Sequence, residues 1–136
     1  MILKVSNTQL SKSKYFIKIE DIPEIQYTTG LLTKILVGLH GEKVMILLNK
    51  HKPQIRIPTQ THENELIGII IQGKGRYMIG DEEKILTKGD IYHVPPNIPH
   101  CTEVLGNEPL IEIDIFAPPL KRVLDAYKEA VQTALK

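Results

Sequence analysis

The chain has 136 residues, enough for one domain with a full core and too few for two ordinary ones. Its 17 basic and 16 acidic residues are interspersed and leave a net charge of +1, which argues against a nucleic-acid or anionic-membrane partner. One cysteine, Cys101, excludes an internal disulfide. No apolar run is long enough to span a bilayer, and residues 1–10 lack an export-signal layout, so a soluble cytoplasmic protein is the default.

Twenty isoleucines and no tryptophan favour a sheet protein. Residues 1–14 read as a weak strand and a polar loop, and residues 15–20 as a strand ended by a turn at 21–23. Further strands are expected over 29–37 and 44–48. Residues 54–58 place Ile55 and Ile57 on one side and Arg56 on the other, the pattern of a half-buried strand. Residues 66–71 are apolar on both faces, so a central strand covered on both sides is expected. Gly68 within it points to close backbone approach or to room needed inside a cavity.

Gly73, Gly75, Gly80 and Gly89 punctuate hairpins around short strands at 76–79, 84–87 and 91–94. A proline-stiffened turn at 95–99 leads into strands at 100–105 and 110–116. After Pro119 the period changes. Leu120, Val123, Leu124, Tyr127, Val131, Ala134 and Leu135 form one stripe of an amphipathic helix over 119–135. Ten or so short strands plus a C-terminal helix make an all-β fold, a barrel or jelly-roll sandwich, and one domain over 1–136. The apolar run at 66–71 and the helix together allow a homodimer.

His62 and His100 stand 38 positions apart at the ends of short strands. No single helix brings them together, but a closed or sandwiched sheet does. Neutral imidazole suits Zn, Mn, Fe, Ni or Cu, and the alternative is a pair of hydrogen-bonded pocket histidines. Gln60 alternates with His62 and points the same way. It is either a weak neutral metal ligand or a hydrogen-bonding liner. Asp114 and Glu112 share one face of the last strand, opposite Ile111, Ile113 and Ile115. If that face lines a cavity, Asp114 is the general acid or base candidate, its pKa raised by apolar neighbours. Tyr77, Tyr92 and His93 are further candidate liners. Cys101 faces away from its neighbour His100, which argues against a Cys–His nucleophile.

The stretch from Thr59 to Glu103 resembles the cupin superfamily, small double-stranded β-helix barrels. That family's second motif is glycine, five residues, Pro-x-Gly, two residues, His. Here Gly89, Pro95 and His100 match it, with Asn97 at the second glycine, a residue that tolerates positive φ. In the first motif His62 and Gly73 match, Gln60 replaces the first histidine, and the acidic position falls on Leu66 with Glu65 one residue early. The resemblance covers about residues 34–119 and implies a metal held in the barrel by Gln60, His62 and His100.

The segment DIFAPPL resembles the D-x-F-x-P-x-R stretch of small cupins that open unsaturated uronate rings. Asp114, Phe116 and Pro118 match, and the arginine position falls on Leu120, with Lys121 and Arg122 just beyond. Two functions stand side by side. One is a metal-dependent enzyme acting on a small polar or carboxylated molecule, with sugar-derived acids among the candidates. The other is a non-catalytic small-molecule-binding barrel with a weak or absent metal site.

Overall fold

The computed structural model describes residue 13 and residues 15–135. Ten strands and one helix follow a short 3-10 turn at Ile19–Asp21. The strands are β1 (Ile25–Thr28), β2 (Leu31–Val37), β3 (Met45–His51), β4 (Arg56–Gln60) and β5 (Glu65–Gln72). They continue with β6 (Lys74–Ile79), β7 (Glu82–Thr87), β8 (Ile91–Val94), β9 (His100–Leu105) and β10 (Leu110–Ala117), and α1 spans Lys121–Ala134. A six-stranded sheet in the order β1-β2-β3-β10-β5-β8 accompanies a four-stranded sheet in the order β4-β9-β6-β7. Every pairing is antiparallel. This is the expected two-sheet jelly roll with one C-terminal helix.

Strict alternation aims one side of each central strand inward. On β3 the buried set is Met45, Leu47, Asn49 and His51, and on β10 it is Leu110, Glu112, Asp114 and Phe116. The apolar members of both sets join Ile35, Leu66, Ile70, Tyr77, Tyr92, Val94 and Val104 in the core. The helix lays Val123 and Tyr127 against the barrel, and the Tyr127 hydroxyl donates to the Pro23 carbonyl at 2.5 Å. The face of the last strand that carries Asp114 is therefore the inner one, and Ile111, Ile113 and Ile115 look outward.

Three expectations need correction. Residues 15–20 are not a strand: Tyr15 and Phe16 are about four-fifths exposed, and their rings have no surface to bury against. The first described strand is instead Ile25–Thr28. Second, β5 is covered on one face only. Leu66, Gly68 and Ile70 face the interior, while Ile67 and Ile71 are exposed on the outside. Third, Gly75 is a buried strand residue rather than a turn. A Cβ there would meet Tyr77 Cε1 at 2.7 Å. The weak strand expected within 1–14 lies outside the described residues, Ser13 excepted. Among the described residues, no helix is long and apolar enough to cross a membrane.

Gly68 answers the question its position raised. A Cβ on it would sit 1.9 Å from Tyr92 Cζ, so the missing side chain is what lets the Tyr92 ring cross the strand. Asn97 takes φ 65°, in keeping with its place at the usual glycine position.

Candidate functional site

Register brings the distant residues together. Gln60 of β4 is the cross-strand partner of His100, the first residue of β9. His62 follows two residues later, where its carbonyl accepts from the Asn97 N–H at 2.8 Å and knits the two motif loops together. Asn64 donates to the Pro118 carbonyl at 2.6 Å and so ties the same loop to the segment that launches α1. The result is a barrel mouth built from three chain segments.

At this mouth the His62 and His100 rings meet edge to face with centroids 4.9 Å apart, and Phe116 stands 5.5 Å from His62. Each imidazole uses Nδ1–H on a backbone carbonyl two residues away: His62 on Asn64 at 2.8 Å and His100 on Ile98 at 2.9 Å. That fixes the tautomer and leaves each Nε2 with its lone pair available, the arrangement of metal-bound histidine. His100 Nε2 is buried and has no hydrogen-bond partner. Burial, with some help from the nearby His62, holds the His100 pKa below the usual imidazole value and keeps the ring neutral.

Gln60 accepts from Arg122 Nη2 at 2.9 Å. One lone pair of its carbonyl oxygen is thereby engaged and the second is left for another partner. Arg122 is the guanidinium that sequence reading placed outside the site. The helix starts at Lys121, so the first turn brings residue 122 to the mouth and leaves Leu120 as an apolar wall. Among the described residues, no group of three or more His, Cys, Asp or Glu could hold a metal ion. The donor set at the mouth is two imidazoles and one amide.

Below the mouth, a cavity of about 120 Å³ ends on a polar floor. Thr33 Oγ1 donates to Asn49 Oδ1 at 2.8 Å, which orients the Asn49 amide so that Nδ2 donates to Asp114 Oδ2, also at 2.8 Å. The Tyr92 hydroxyl hydrogen-bonds Asp114 Oδ1, and the Tyr77 hydroxyl hydrogen-bonds Glu112 Oε2. The two phenol rings stack with centroids 4.6 Å apart. His51 Nε2 lies 2.8 Å from Glu112 Oε1.

The two buried carboxyls titrate apart. Burial and then the negative charge of Glu112 push Asp114 well above the usual range. Burial works against the Glu112 charge as well, but the His51 hydrogen bond and charge, aided by both tyrosines, outweigh it and hold Glu112 low. One ionised and one protonated carboxyl on neighbouring inward positions is the separation expected of an acid–base pair. Burial above all, together with the neighbouring carboxyl groups, raises both tyrosines and keeps them neutral donors.

Tyr77 and Tyr92 therefore line the cavity. His93 does not: it is exposed and paired with Glu65 at 2.6 Å, and Leu66 takes the inward position between mouth and floor. Glu65 thus remains on the outer face, as strand alternation requires. His51, Asn49 and Thr33 went unrecognised in the sequence. The available signal was the i, i+2 continuation of Met45 and Leu47, which aims Asn49 and His51 inward. The flanking Lys50 and Lys52 concealed it.

A family model described as Cupin domain matches residues 50–116. An uncharacterised protein of Methanocaldococcus jannaschii, MJ1618, is 33% identical over 73 residues, 54% of this chain and 50% of that protein. The chain thus spans about half the length of that curated relative. Among solved structures, KdgF from Halomonas sp. is similar with a TM-score of 0.73 at 23% identity, over 82% of this chain and 100% of the other. An RmlC-like cupin from Shewanella frigidimarina has a TM-score of 0.73 at 21% identity, over 82% of this chain and 96% of the other. At these identities the structural likeness speaks for the fold. With its two-sheet barrel and the family match across the histidine pair, the chain belongs to the cupin superfamily.

Proposed function

We propose that the barrel mouth binds a divalent transition metal through His62 and His100, with Gln60 as a neutral third donor, and that the pocket acts on a small polar or carboxylated molecule. The observation that carries this reading is His100 Nε2, buried at the mouth without a partner while Nδ1 is held in place. An unsatisfied buried nitrogen costs stability unless a ligand completes it. Two imidazoles and an amide suit Zn, Mn, Fe, Ni or Cu better than Mg or Ca. When bound, such an ion polarises a carbonyl or hydroxyl oxygen of the substrate.

The chain's own residues supply the rest. Arg122 offers a carboxylate a forked donor at the rim. Leu66, Leu120 and Phe116 exclude water. Asp114 delivers a proton from Oδ1, while Asn49 holds Oδ2 and fixes the direction of transfer. A second reading, a barrel that binds a small molecule without turnover, is favoured by Leu66 at the acidic-ligand position and by the two-imidazole donor set.

Elemental analysis of protein purified without chelator or metal-binding tag separates the two. About one equivalent of transition metal in the parent and none in the His62→Ala, His100→Ala double variant supports the first reading. No metal in the parent, even after reloading with Zn, Mn, Fe, Ni and Cu, leaves the second.

The assembly reading is a homodimer through the outer face of the six-stranded sheet. Leu48, Ile113, Ile69 and Ile91 form one uncharged row across four strands, with Ile46, Ile115 and Ile67 beside them. Ile91 is 63% exposed. A second copy offers this surface an apolar face that matches itself about a twofold axis. Sedimentation should show a dimer that Ile113→Lys converts to monomer. A monomeric parent at micromolar concentration defeats this assignment.

A further inference from the structure

We propose that the floor of the barrel is a proton conduit, in which His51, Glu112 and Tyr92 connect Asp114 to solvent on the side of the barrel away from the mouth. The conduit deepens the reading of Asp114 as the proton-transfer group, yet it stands on contacts that involve neither a metal nor a substrate.

The geometry begins with an unusual placement of His51. It lies at the Leu110 end of β10, opposite the end that carries Phe116 and the mouth. Besides lining the central cavity, it borders an outer groove formed with Gly30, Leu31, Lys50, Lys52 and Pro53. Leu31 and His51 line both spaces, and of the two His51 is the one able to carry a proton. From His51 the polar groups follow one another across the floor. Nε2 meets Glu112 Oε1 at 2.8 Å, and the Tyr92 hydroxyl, which helps to hold the Glu112 pKa down, hydrogen-bonds Asp114 Oδ1.

A side branch runs through Tyr77, whose hydroxyl hydrogen-bonds Glu112 Oε2 and whose ring stacks on that of Tyr92. The charged and titratable groups facing Asp114 are thus Glu112, Tyr77 and Tyr92, with Asn49 closing the remaining oxygen. Leu66, Leu47 and Phe116 surround this network with apolar atoms. A proton has few other routes inward than the mouth itself.

The direction of the chain is set by Thr33. Because Thr33 donates to the Asn49 carbonyl, the Asn49 amide donates to Asp114 Oδ2 and cannot accept from it. The Asp114 proton therefore belongs on Oδ1, against Tyr92. After Asp114 gives that proton away, its carboxylate takes the Tyr92 hydroxyl proton. An imidazolium at His51 first hands its proton to the ionised Glu112, and Glu112 passes it on to refill Tyr92 and is ionised again at the end. The net change is a proton lost by His51 and a proton gained by Asp114, and His51 recovers its own from water in the outer groove. Glu112 and His51 are then positioning and relay residues that need not touch substrate.

The test uses infrared spectroscopy on the chelated, substrate-free protein. A C=O stretch of an un-ionised carboxyl at neutral pH, absent in Asp114→Asn, assigns the Asp114 proton. Rapid mixing into D2O then times its exchange. In His51→Ala and in Tyr92→Phe the exchange should slow by about tenfold or more, with the band retained. Added imidazole should restore the rate in His51→Ala and leave Tyr92→Phe slow, a rescue that a purely structural histidine would not show. Should His51→Ala not fold, His51→Gln, which keeps a donor for Glu112, carries the same comparison. An absent band, or exchange equally fast in parent and variants, overturns the conduit. Because no metal is present, either outcome is independent of the metal analysis above.

Discussion

The mouth and the floor of this barrel are both polar, but they are built on opposite principles. At the mouth each histidine spends one nitrogen on its own loop and leaves the other without a protein partner. On the floor the donors and acceptors close on one another: Thr33 on Asn49, Asn49 and Tyr92 on Asp114, Tyr77 and His51 on Glu112. The mouth is a receptor whose last partner comes from outside, whereas the floor is finished when the chain folds. Changes on the floor should therefore cost stability, and changes at the mouth should cost binding.

The sharpest break of this contrast comes from Gly68→Ala. Its new Cβ overlaps the Tyr92 ring at 1.9 Å, so the ring must leave Asp114 or the strand must shift. A loss of about 3 kcal/mol or more is expected in urea unfolding. A tolerated alanine would show that the floor is loosely held. Glu112→Gln comes next, at about 2–3 kcal/mol, because it removes a charge that His51 and two phenols are arranged around.

Asp114→Asn should be far milder, within about 1 kcal/mol near pH 4, since an amide reproduces the donor on one side and the acceptor on the other. The pH dependence gives the sign. Asp114 is raised well above 3.8 in the folded protein, so its contribution is full below the unfolded value and is lost as pH rises through the folded one. The asparagine variant should therefore gain on the parent with rising pH. Parallel curves would mean that Asp114 is ionised. The smallest effect is expected at the mouth. His100→Met in metal-free protein replaces an unpartnered nitrogen by apolar atoms and should be neutral or stabilising by up to about 1 kcal/mol. A large loss there would erase the distinction between the two tiers.

The strands at 91–94 and 100–105 were legible to the residue, and that at 110–116 to within one, because glycine and proline punctuate this half of the chain. The convergence of Gln60, His62 and His100 was equally legible, through motif spacing. The N-terminal strands were not. Tyr15–Ile17 carry the aromatic and β-branched residues of a strand but lie exposed, while Ile25–Thr28 contributes only Ile25 to the core and resembles a loop. The floor was half visible. Glu112 and Asp114 share a face by simple parity, but strand parity does not survive the turns that bring Tyr77, Tyr92 and His51 to them. Arg122 was passed over because the family resemblance assigns its role to position 120. A helical turn, invisible in linear spacing, returns the side chain to the mouth.

The two tiers also sit on different parts of the scaffold. Gln60 ends β4, an edge strand of the smaller sheet whose register slips between Ile57 and Gln60, whereas Glu112 and Asp114 ride on β10, flanked by β3 and β5. An edge strand can detach without unfolding the molecule, and an interior one cannot. Backbone amides of residues 56–60 should thus trade hydrogen with solvent through local openings, and an occupant bridging Gln60 and His100 would staple that edge shut. Its arrival would be written in the exchange clocks of a few amides along β4, long before it moved the melting temperature of the whole.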